Sequence, residues 1–180
     1  MMTNIQGINV QNAIEKQLGK AAADEFAAKL PLSKSADYLR KFKWAKDVCD
    51  YLNSTYTPEE VKAVRFSCSC MPPEDKIAKI RQLYENAKDL DAFAEAFERE
   101  YNGTNLLWHE GETLFFGYPT CYCSCVKRVK DTLPKTWCLC TLGYTKKLFD
   151  AVLGCDTVVE LIESVKTGGS RCVMKITRPL

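Results

Sequence analysis

The sequence predicts an α+β protein in which N-terminal helices pack with a C-terminal, mostly antiparallel sheet plus a helix. Apolar residues recur at helical spacing through about the first hundred residues. After residue 103, short β-type runs and glycine-containing turns replace that spacing. We therefore divide the chain into a helical region, residues 1–103, and a cysteine-rich α+β ligand-binding region, residues 104–180. We expect the two regions to share one core.

Five helices are predicted in the helical region, from apolar spacing and from the residues that start and stop each helix. Thr57, Pro58 and Glu60 form a typical helix start, with a capping side chain, a proline in the first turn and an acid three residues after the cap. Asn102 and Gly103 are typical of a helix end. The predicted helices cover residues 9–30, 34–54, 58–65, a segment opened by Pro72 and Pro73, and residues 89–101.

In the α+β region, short apolar runs alternate with turn residues. The run Cys121–Val126 predicts a strand because its cysteines occupy alternate positions. The turn Thr167–Ser170 contains two glycines between β-type runs, which is typical of a hairpin. The predicted elements are strands at 106–108, 113–116 and 121–126, a turn at 109–112, a helix at 139–153, and hairpin strands at 158–165 and 172–177.

Composition limits the functions that the chain can have. The 25 basic and 23 acidic residues leave a net charge of +2, which gives no electrostatic case for nucleic acid or a membrane surface as partner. No secretory signal or membrane span is recognised, so we expect a cytoplasmic protein. In that reducing compartment ten cysteines are not expected to form a disulfide framework. The single histidine, His109, excludes metal sites built from two or three histidines.

Seven of the ten cysteines fall in Cys-x-Cys motifs, and we expect these seven to surround one site. In a strand such neighbours face the same side, whereas in a helix they point about 200° apart. Cys138 and Cys140 are expected just before a helix, whose N-terminus favours thiolates, so they are the candidate nucleophiles. Cys49, Cys155 and Cys172 are assigned structural roles. The site residues are Cys68, Cys70, Cys121, Cys123, Cys125, Cys138 and Cys140.

Three interpretations of these motifs stay open. One is a thiolate metal site holding zinc or an iron–sulfur cluster. The second is a redox-active or nucleophilic thiol site, and the third is a set of structural thiols that fill the interior. Aromatic side chains close to the motifs either wall a pocket for a small-molecule ligand or belong to the core. These pocket candidates are Trp137, Tyr144, Tyr118 and Tyr122. A homo-oligomer is compatible with the sequence.

Several segments resemble a cysteine-rich family of uncharacterised bacterial and archaeal proteins. That family is related to the L-2-amino-thiazoline-4-carboxylic acid hydrolase-like proteins and to the 4-vinyl reductase small-molecule-binding domain. The resemblance implies an α+β fold with a ligand pocket between sheet and helices. It also implies, as an alternative, a cysteine-dependent hydrolase that acts on a small cyclic amide or thiazoline, so enzymatic activity stays open. The segments are Phe66–Cys70, Tyr118–Cys125, Thr136–Tyr144, Leu148–Gly154 and Val158–Ile176.

Overall fold

The computed structural model describes residues 1–178, and the chain divides into two units of two segments each. Unit 1 contains Met1–Ser69 and Tyr122–Gly143, and unit 2 contains Cys70–Cys121 and the residues from Tyr144 onward. The described residues form seven α-helices and one four-stranded antiparallel sheet, with most helices N-terminal and the sheet C-terminal. The predicted α+β class is confirmed. The division at residue 103 stays a prediction.

Unit 1 is helical. The predicted helix 9–30 is two helices, because Gly19 has φ = 93°, a positive value that favours glycine and ends the first of them. Thr57 and Glu60 form the predicted capping box, in which each side chain accepts a hydrogen bond from the other residue's backbone N–H. The helices are α1 (Ile5–Leu18), α2 (Lys20–Lys29), α3 (Tyr38–Thr55), α4 (Pro58–Ser67) and the first part of α7 (Lys135–Leu153).

Aromatic side chains anchor the core of unit 1. Trp44 of α3 is 2% exposed, and its ring lies edge-on to Phe26 and to Trp137, with centroids 6.5 and 5.9 Å away. The Trp44 Nε1–H donates to the Leu30 carbonyl oxygen at 2.9 Å, which satisfies the polar atom of this buried ring. Small apolar residues of α1 and α4 complete the core, namely Val10, Ala13, Ile14, Val61 and Val64.

Unit 2 combines helices with the sheet. Its elements are α5 (Glu74–Glu85), α6 (Leu90–Tyr101), β1 (Leu106–Glu110), β2 (Thr113–Tyr118), the remainder of α7, β3 (Val158–Glu163) and β4 (Cys172–Thr177). Helix α6 packs against both α5 and β1. The strand order is β1-β2-β4-β3, and every neighbouring pair is antiparallel. Asn102 adopts the left-handed conformation that ends α6, as its sequence position predicts.

The buried face of the sheet is set by β2. Leu114 and Phe116 point into the core of unit 2, where Phe116 pairs with Met174 of β4. At Gly117 a Cβ atom would lie 2.2 Å from the Cys172 carbonyl oxygen, so the close approach of β4 requires glycine there. The predicted hairpin is confirmed, with a short 3₁₀ turn at Val165–Thr167 joining β3 to β4.

Two cysteine-bearing segments differ from their predicted structure. Cys121–Val126 forms no strand: residues 124–128 are a turn, in which the Val126 and Lys127 N–H groups donate to the Cys123 carbonyl oxygen instead of to a neighbouring strand. Helix α7 begins at Lys135, four residues before the predicted start, directly after Pro134. Cys138 and Cys140 therefore lie within the helix.

Candidate functional site

The seven cysteines of the predicted site lie in both units, so their convergence on one site stays a prediction. Within α7, Cys138 and Cys140 point in different directions because helical residues two apart differ by about 200°. Cys138 is buried, whereas Cys140 is half-buried and its thiol donates to the Trp137 carbonyl oxygen at 3.5 Å. Cys125 is also buried, and its thiol lies 3.7 Å from the Lys41 carbonyl oxygen. Cys70 and Cys121 belong to unit 2.

The centre of the thiol cluster in unit 1 is occupied by a cation of the chain itself. Arg65 of α4 is 2% exposed and its Nη1 donates to Cys68 Sγ at 3.3 Å. Cys140, Cys49 and Cys123 are further thiols close enough to act on its charge. Burial lowers the pKa of Arg65, but these thiols outweigh burial and raise it. A guanidinium in this position repels a metal cation.

Backbone oxygens of α7 hold Arg65 in place. Its Nε donates to the Thr136 carbonyl oxygen at 3.2 Å and its Nη2 to the Trp137 carbonyl oxygen at 2.6 Å. The guanidinium carbon lies 4.5 Å from the Trp137 ring centroid, a cation–π contact. Sequence reasoning missed Arg65. The signal for its burial is its spacing, since it follows Val61 by four residues and precedes Cys68 by three, on the apolar side of α4.

Burial determines the protonation of most of these thiols. It raises the pKa values of Cys49, Cys125 and Cys140 to about 12, with the Arg65 charge acting in the opposite direction on all three. Burial therefore opposes the thiolate predicted at Cys140, since that prediction took account of a helix N-terminus and not of burial.

A second cluster lies in unit 2, around Lys76 of α5. The ammonium nitrogen of Lys76 lies 5.9 Å from the centroids of four aromatic rings. Among residues 1–178, Asn105 supplies the one hydrogen-bond acceptor, with Oδ1 at 3.3 Å from Nζ. Burial lowers the pKa of Lys76, because the charged form loses hydration there. The four rings are Tyr101, Phe116, Tyr118 and Tyr144.

Four elements converge on this Lys76 cluster. Tyr101 ends α6, Tyr144 belongs to α7, and Phe116 and Tyr118 lie two residues apart on β2, so they share one face. Burial raises the pKa values of Tyr101 and Tyr144, which keeps both phenols protonated. All of these side chains except Phe116 are half-buried, so solvent reaches the cluster.

The predicted pocket residues divide between the two units. Tyr118 and Tyr144 both contact Lys76 in unit 2. Trp137 is 4% exposed and lies against Arg65 in unit 1, and Tyr122 is 51% exposed. That these four residues line one pocket stays a prediction.

The sequence analysis did not identify Lys76 as a site residue. Its position four residues before the buried Ile80 places it towards the core side of α5.

His109 presents no free nitrogen to a ligand. It lies in β1 and not in the predicted turn, which is reduced to Gly111–Glu112. Its Nδ1 is 2.9 Å from the Gly111 carbonyl oxygen and its Nε2 is 3.1 Å from Asp91 Oδ1. The Gly111 carbonyl oxygen, with the larger effect, and the Asp91 carboxylate both raise the pKa of His109. Each accepts a hydrogen bond from the ring when both ring nitrogens carry a proton, so together they favour the protonated form. Its side chain therefore joins β1 to α6.

The fold and the site together define an α+β protein in which aromatic rings surround a lysine side chain. The chain belongs to the family described as "Family of unknown function (DUF6144)", whose model matches residues 1–179. No curated protein matches the chain. No helix among residues 1–178 has both the length and the apolar composition that crossing a bilayer requires.

Solved structures of H-NOX proteins are similar to the chain over its whole length. The S. oneidensis protein in its Fe(II)NO state has 16% identity, covers 99% of this chain and 100% of its own, and gives a TM-score of 0.44. A triple mutant in the Fe(II) state has 15% identity, with 99% and 97% coverage and a TM-score of 0.44. The NMR structure of the Shewanella oneidensis SO2144 domain with Fe(II)CO has 15% identity, 99% coverage of both chains and a TM-score of 0.42. Similarity at this level assigns no ligand to this chain.

These findings correct four sequence-based predictions. The resemblance to thiazoline hydrolase-like and 4-vinyl reductase proteins is wrong, because the family whose model matches residues 1–179 is a different one. The hydrolase alternative rested on that resemblance and is therefore also wrong. The prediction of a zinc or iron–sulfur cofactor is also wrong. Among residues 1–178, no group of three or more cysteine, histidine or acidic side chains is arranged to hold a metal ion. The thiol-rich ligand or metal site therefore does not describe this protein's function.

Proposed function

We propose that the protein binds a small anionic molecule, with the Lys76 cluster of unit 2 as its binding site. The observation that carries this proposal is an ammonium group, 5.9 Å from each of four ring centroids, that has one hydrogen-bond acceptor among the described residues. An ammonium has three N–H donors, so two are available to a ligand oxygen.

The charge of the Lys76 cluster favours an anion. No carboxylate within residues 1–178 forms an ion pair with Lys76, although Lys79 on the same helix pairs with Glu100. A partly buried charge without an opposite charge is costly, and burial accordingly lowers the pKa of Lys76. A bound carboxylate or other oxyanion would restore the opposite charge and favour the protonated amine.

The rings define the rest of the ligand. Their faces attract the ammonium and also offer apolar surface to a flat molecule. Tyr101 and Tyr144 keep their phenolic protons, so each can donate a hydrogen bond to a ligand oxygen. A small carboxylate that carries an aromatic or other planar group matches this combination of one cation, phenolic donors and ring faces.

Benzoate binding tests the proposal. We expect benzoate at about ten times its dissociation constant to stabilise the protein by about 1.4 kcal/mol, measured as a shift in the urea midpoint. Lys76→Met should abolish the shift, because it removes the ammonium and keeps an apolar side chain. Lys79→Met is the matched control, since it removes an exposed cation three residues away and should preserve the shift.

Neutral benzamide separates charge from ring stacking. It has nearly the shape of benzoate and no charge, so it should give a much smaller shift in the unchanged protein. Equal shifts for benzoate in the Lys76→Met variant and the unchanged protein would overturn the proposal. The Lys76 cluster would then be a structural cation–π contact between α5, β2 and their neighbours.

A further inference from the structure

Arg65 in unit 1 is a buried charge that lacks a carboxylate partner among residues 1–178. Its Nε and Nη2 donate to two backbone carbonyl oxygens of α7, and its Nη1 donates to Cys68 Sγ. A guanidinium stays protonated at any physiological pH, so it stabilises whatever negative charge forms close to it. The nearest group that can acquire such a charge by chemical reaction is the thiol of Cys68.

Cys68 is placed to react with a small molecule from solvent. It is the residue directly after the end of α4 and caps that helix, and it is half-buried, whereas Cys49, near the same cation, is fully buried. Its Sγ lies 3.3 Å from Arg65 Nη1 and 3.2 Å from the Arg65 carbonyl oxygen. A thiol beside an arginine is a typical environment for oxidation, because the cation stabilises the thiolate and the sulfenate that follows it.

Cys140 lies close to the same guanidinium and to Cys68, since the charges of both groups act on its thiol. Its thiol donates to the Trp137 carbonyl oxygen at 3.5 Å, and Arg65 Nη2 donates to that same oxygen at 2.6 Å. One turn later in α7, a Cβ atom on Gly143 would lie 2.5 Å from the Phe66 carbonyl oxygen. The end of α4 and this face of α7 are therefore in direct backbone contact, with Cys68 and Cys140 close to that contact.

We propose that Cys68 and Cys140 are a thiol pair that a hydroperoxide oxidises to a reversible disulfide. The Cys68 sulfur attacks the terminal peroxide oxygen, the O–O bond breaks, and the leaving oxygen takes up the thiol proton as water or an alcohol. Cys68 is then a sulfenic acid. The Cys140 sulfur attacks Cys68 Sγ, the S–O bond breaks, and the Cys140 proton leaves with the hydroxide as water. Two thiols are oxidised and one peroxide is reduced.

The order of the two steps follows from the surroundings of each sulfur. Burial raises the pKa of Cys140 to about 12, so Cys140 is a poor first nucleophile. Cys68 has the guanidinium contact and partial exposure that the first step requires. The neighbouring thiols Cys70 and Cys138 differ from this pair, since Cys70 is exposed in unit 2 and Cys138 is buried on a different side of α7.

The experiment uses reduced full-length protein, one equivalent of hydrogen peroxide, and mass spectrometry of tryptic peptides without reductant. Cys68 and Cys70 share one tryptic peptide and Cys138 and Cys140 share another. The double variant Cys70→Ser with Cys138→Ala therefore leaves one cysteine in each. We expect a Cys68–Cys140 disulfide in this double variant, removed by dithiothreitol. Cys155→Ser is the control outside the pair and should behave like the unchanged protein.

Single variants of the pair separate the two steps. In Cys140→Ser, dimedone should label Cys68 as a trapped sulfenic acid, and in Cys68→Ser both the label and the disulfide should be lost. Circular dichroism shows that each variant is folded. A disulfide between Cys68 and Cys123, or a Cys140→Ser variant without dimedone label at Cys68, would overturn the proposal.

Discussion

Replacing Gly143 with alanine tests the backbone contact between α4 and α7. A Cβ atom there would lie 2.5 Å from the Phe66 carbonyl oxygen and 2.7 Å from Ser69 Oγ. Ordinary contacts between carbon and its neighbours are about 3.5 Å, so the overlap with a backbone oxygen is about 1 Å. Overpacking costs about 1–3 kcal/mol, and a fixed backbone oxygen places this contact in the upper part of that range, at about 2–3 kcal/mol. Alanine offsets about 1 kcal/mol of this cost, because its helix propensity is higher than that of glycine. We expect a net loss of about 1–2 kcal/mol.

Gly7 in α1 provides the matched control. It also lies inside a helix of unit 1, and a Cβ atom there would be 2.1 Å from Met2 Sδ. That neighbour is the end of a flexible side chain, which can rotate away at little cost. Gly7→Ala should therefore stabilise the protein by up to about 1 kcal/mol, the helix-propensity gain alone. The two substitutions are chemically the same, but they should change the free energy of unfolding in opposite directions.

Urea unfolding, followed by circular dichroism, measures both variants. With a slope of about 2 kcal/mol per molar urea, Gly143→Ala should lower the midpoint by about 0.5–1 M. Gly7→Ala should raise the midpoint or leave it unchanged. A Gly143→Ala protein as stable as the unchanged protein would refute the reasoning, because it would mean that α7 can move away from Phe66 without cost.

Three further substitutions test other parts of the fold. Phe116→Ala should lower the free energy of unfolding by about 3–5 kcal/mol, since the ring is fully buried in unit 2, and urea unfolding measures this. Thr57→Ala should cost about 1 kcal/mol in the same assay, because it removes the hydrogen bond that Thr57 accepts from the Glu60 N–H. Asp91→Asn should lower the pKa of His109, measured in an NMR titration. Part of the rise in this pKa should remain, because the Gly111 carbonyl oxygen still accepts a hydrogen bond from the ring.

The raised pKa of His109 also makes the stability of the fold depend on pH. Because its folded-state pKa is raised, the protonated ring stabilises the fold below the pKa of the unfolded chain, and this contribution is lost as pH rises through the folded-state pKa. Asp91→Asn should weaken that pH dependence. An unchanged titration in Asp91→Asn, a Thr57→Ala protein without any loss, or a loss below about 1 kcal/mol for Phe116→Ala would each contradict the packing described here.

Local signals in the sequence determined several elements correctly. The capping box at Thr57 and Glu60, the left-handed Asn102 that ends α6, and the hairpin around Gly168 each depend on backbone conformations of a few adjacent residues. Such conformations are fixed by short-range hydrogen bonds and sterics. They are therefore visible in the sequence before any tertiary contact is known.

The cysteine segments show where local reasoning fails. Alternating cysteines at Cys121–Val126 satisfy the β pattern, but a strand also needs a partner, and this segment closes on itself as a turn. The pattern at Cys138 and Cys140 is compatible with strand, loop or helix, and the proline at 134 precedes a helix that includes both. Without the correct local structure, the expectation of a shared metal site had no geometric basis.

The sequence by itself determined the α+β class, the capped start of α4, the end of α6 and the hairpin, because periodicity and capping act over a few residues. Only the tertiary structure decided which charged side chains are buried. Arg65 is placed by carbonyl oxygens 71 and 72 residues away, and Lys76 by rings from three other elements. The energy of a buried charge depends on all neighbours that replace its water, and those neighbours are distant in sequence.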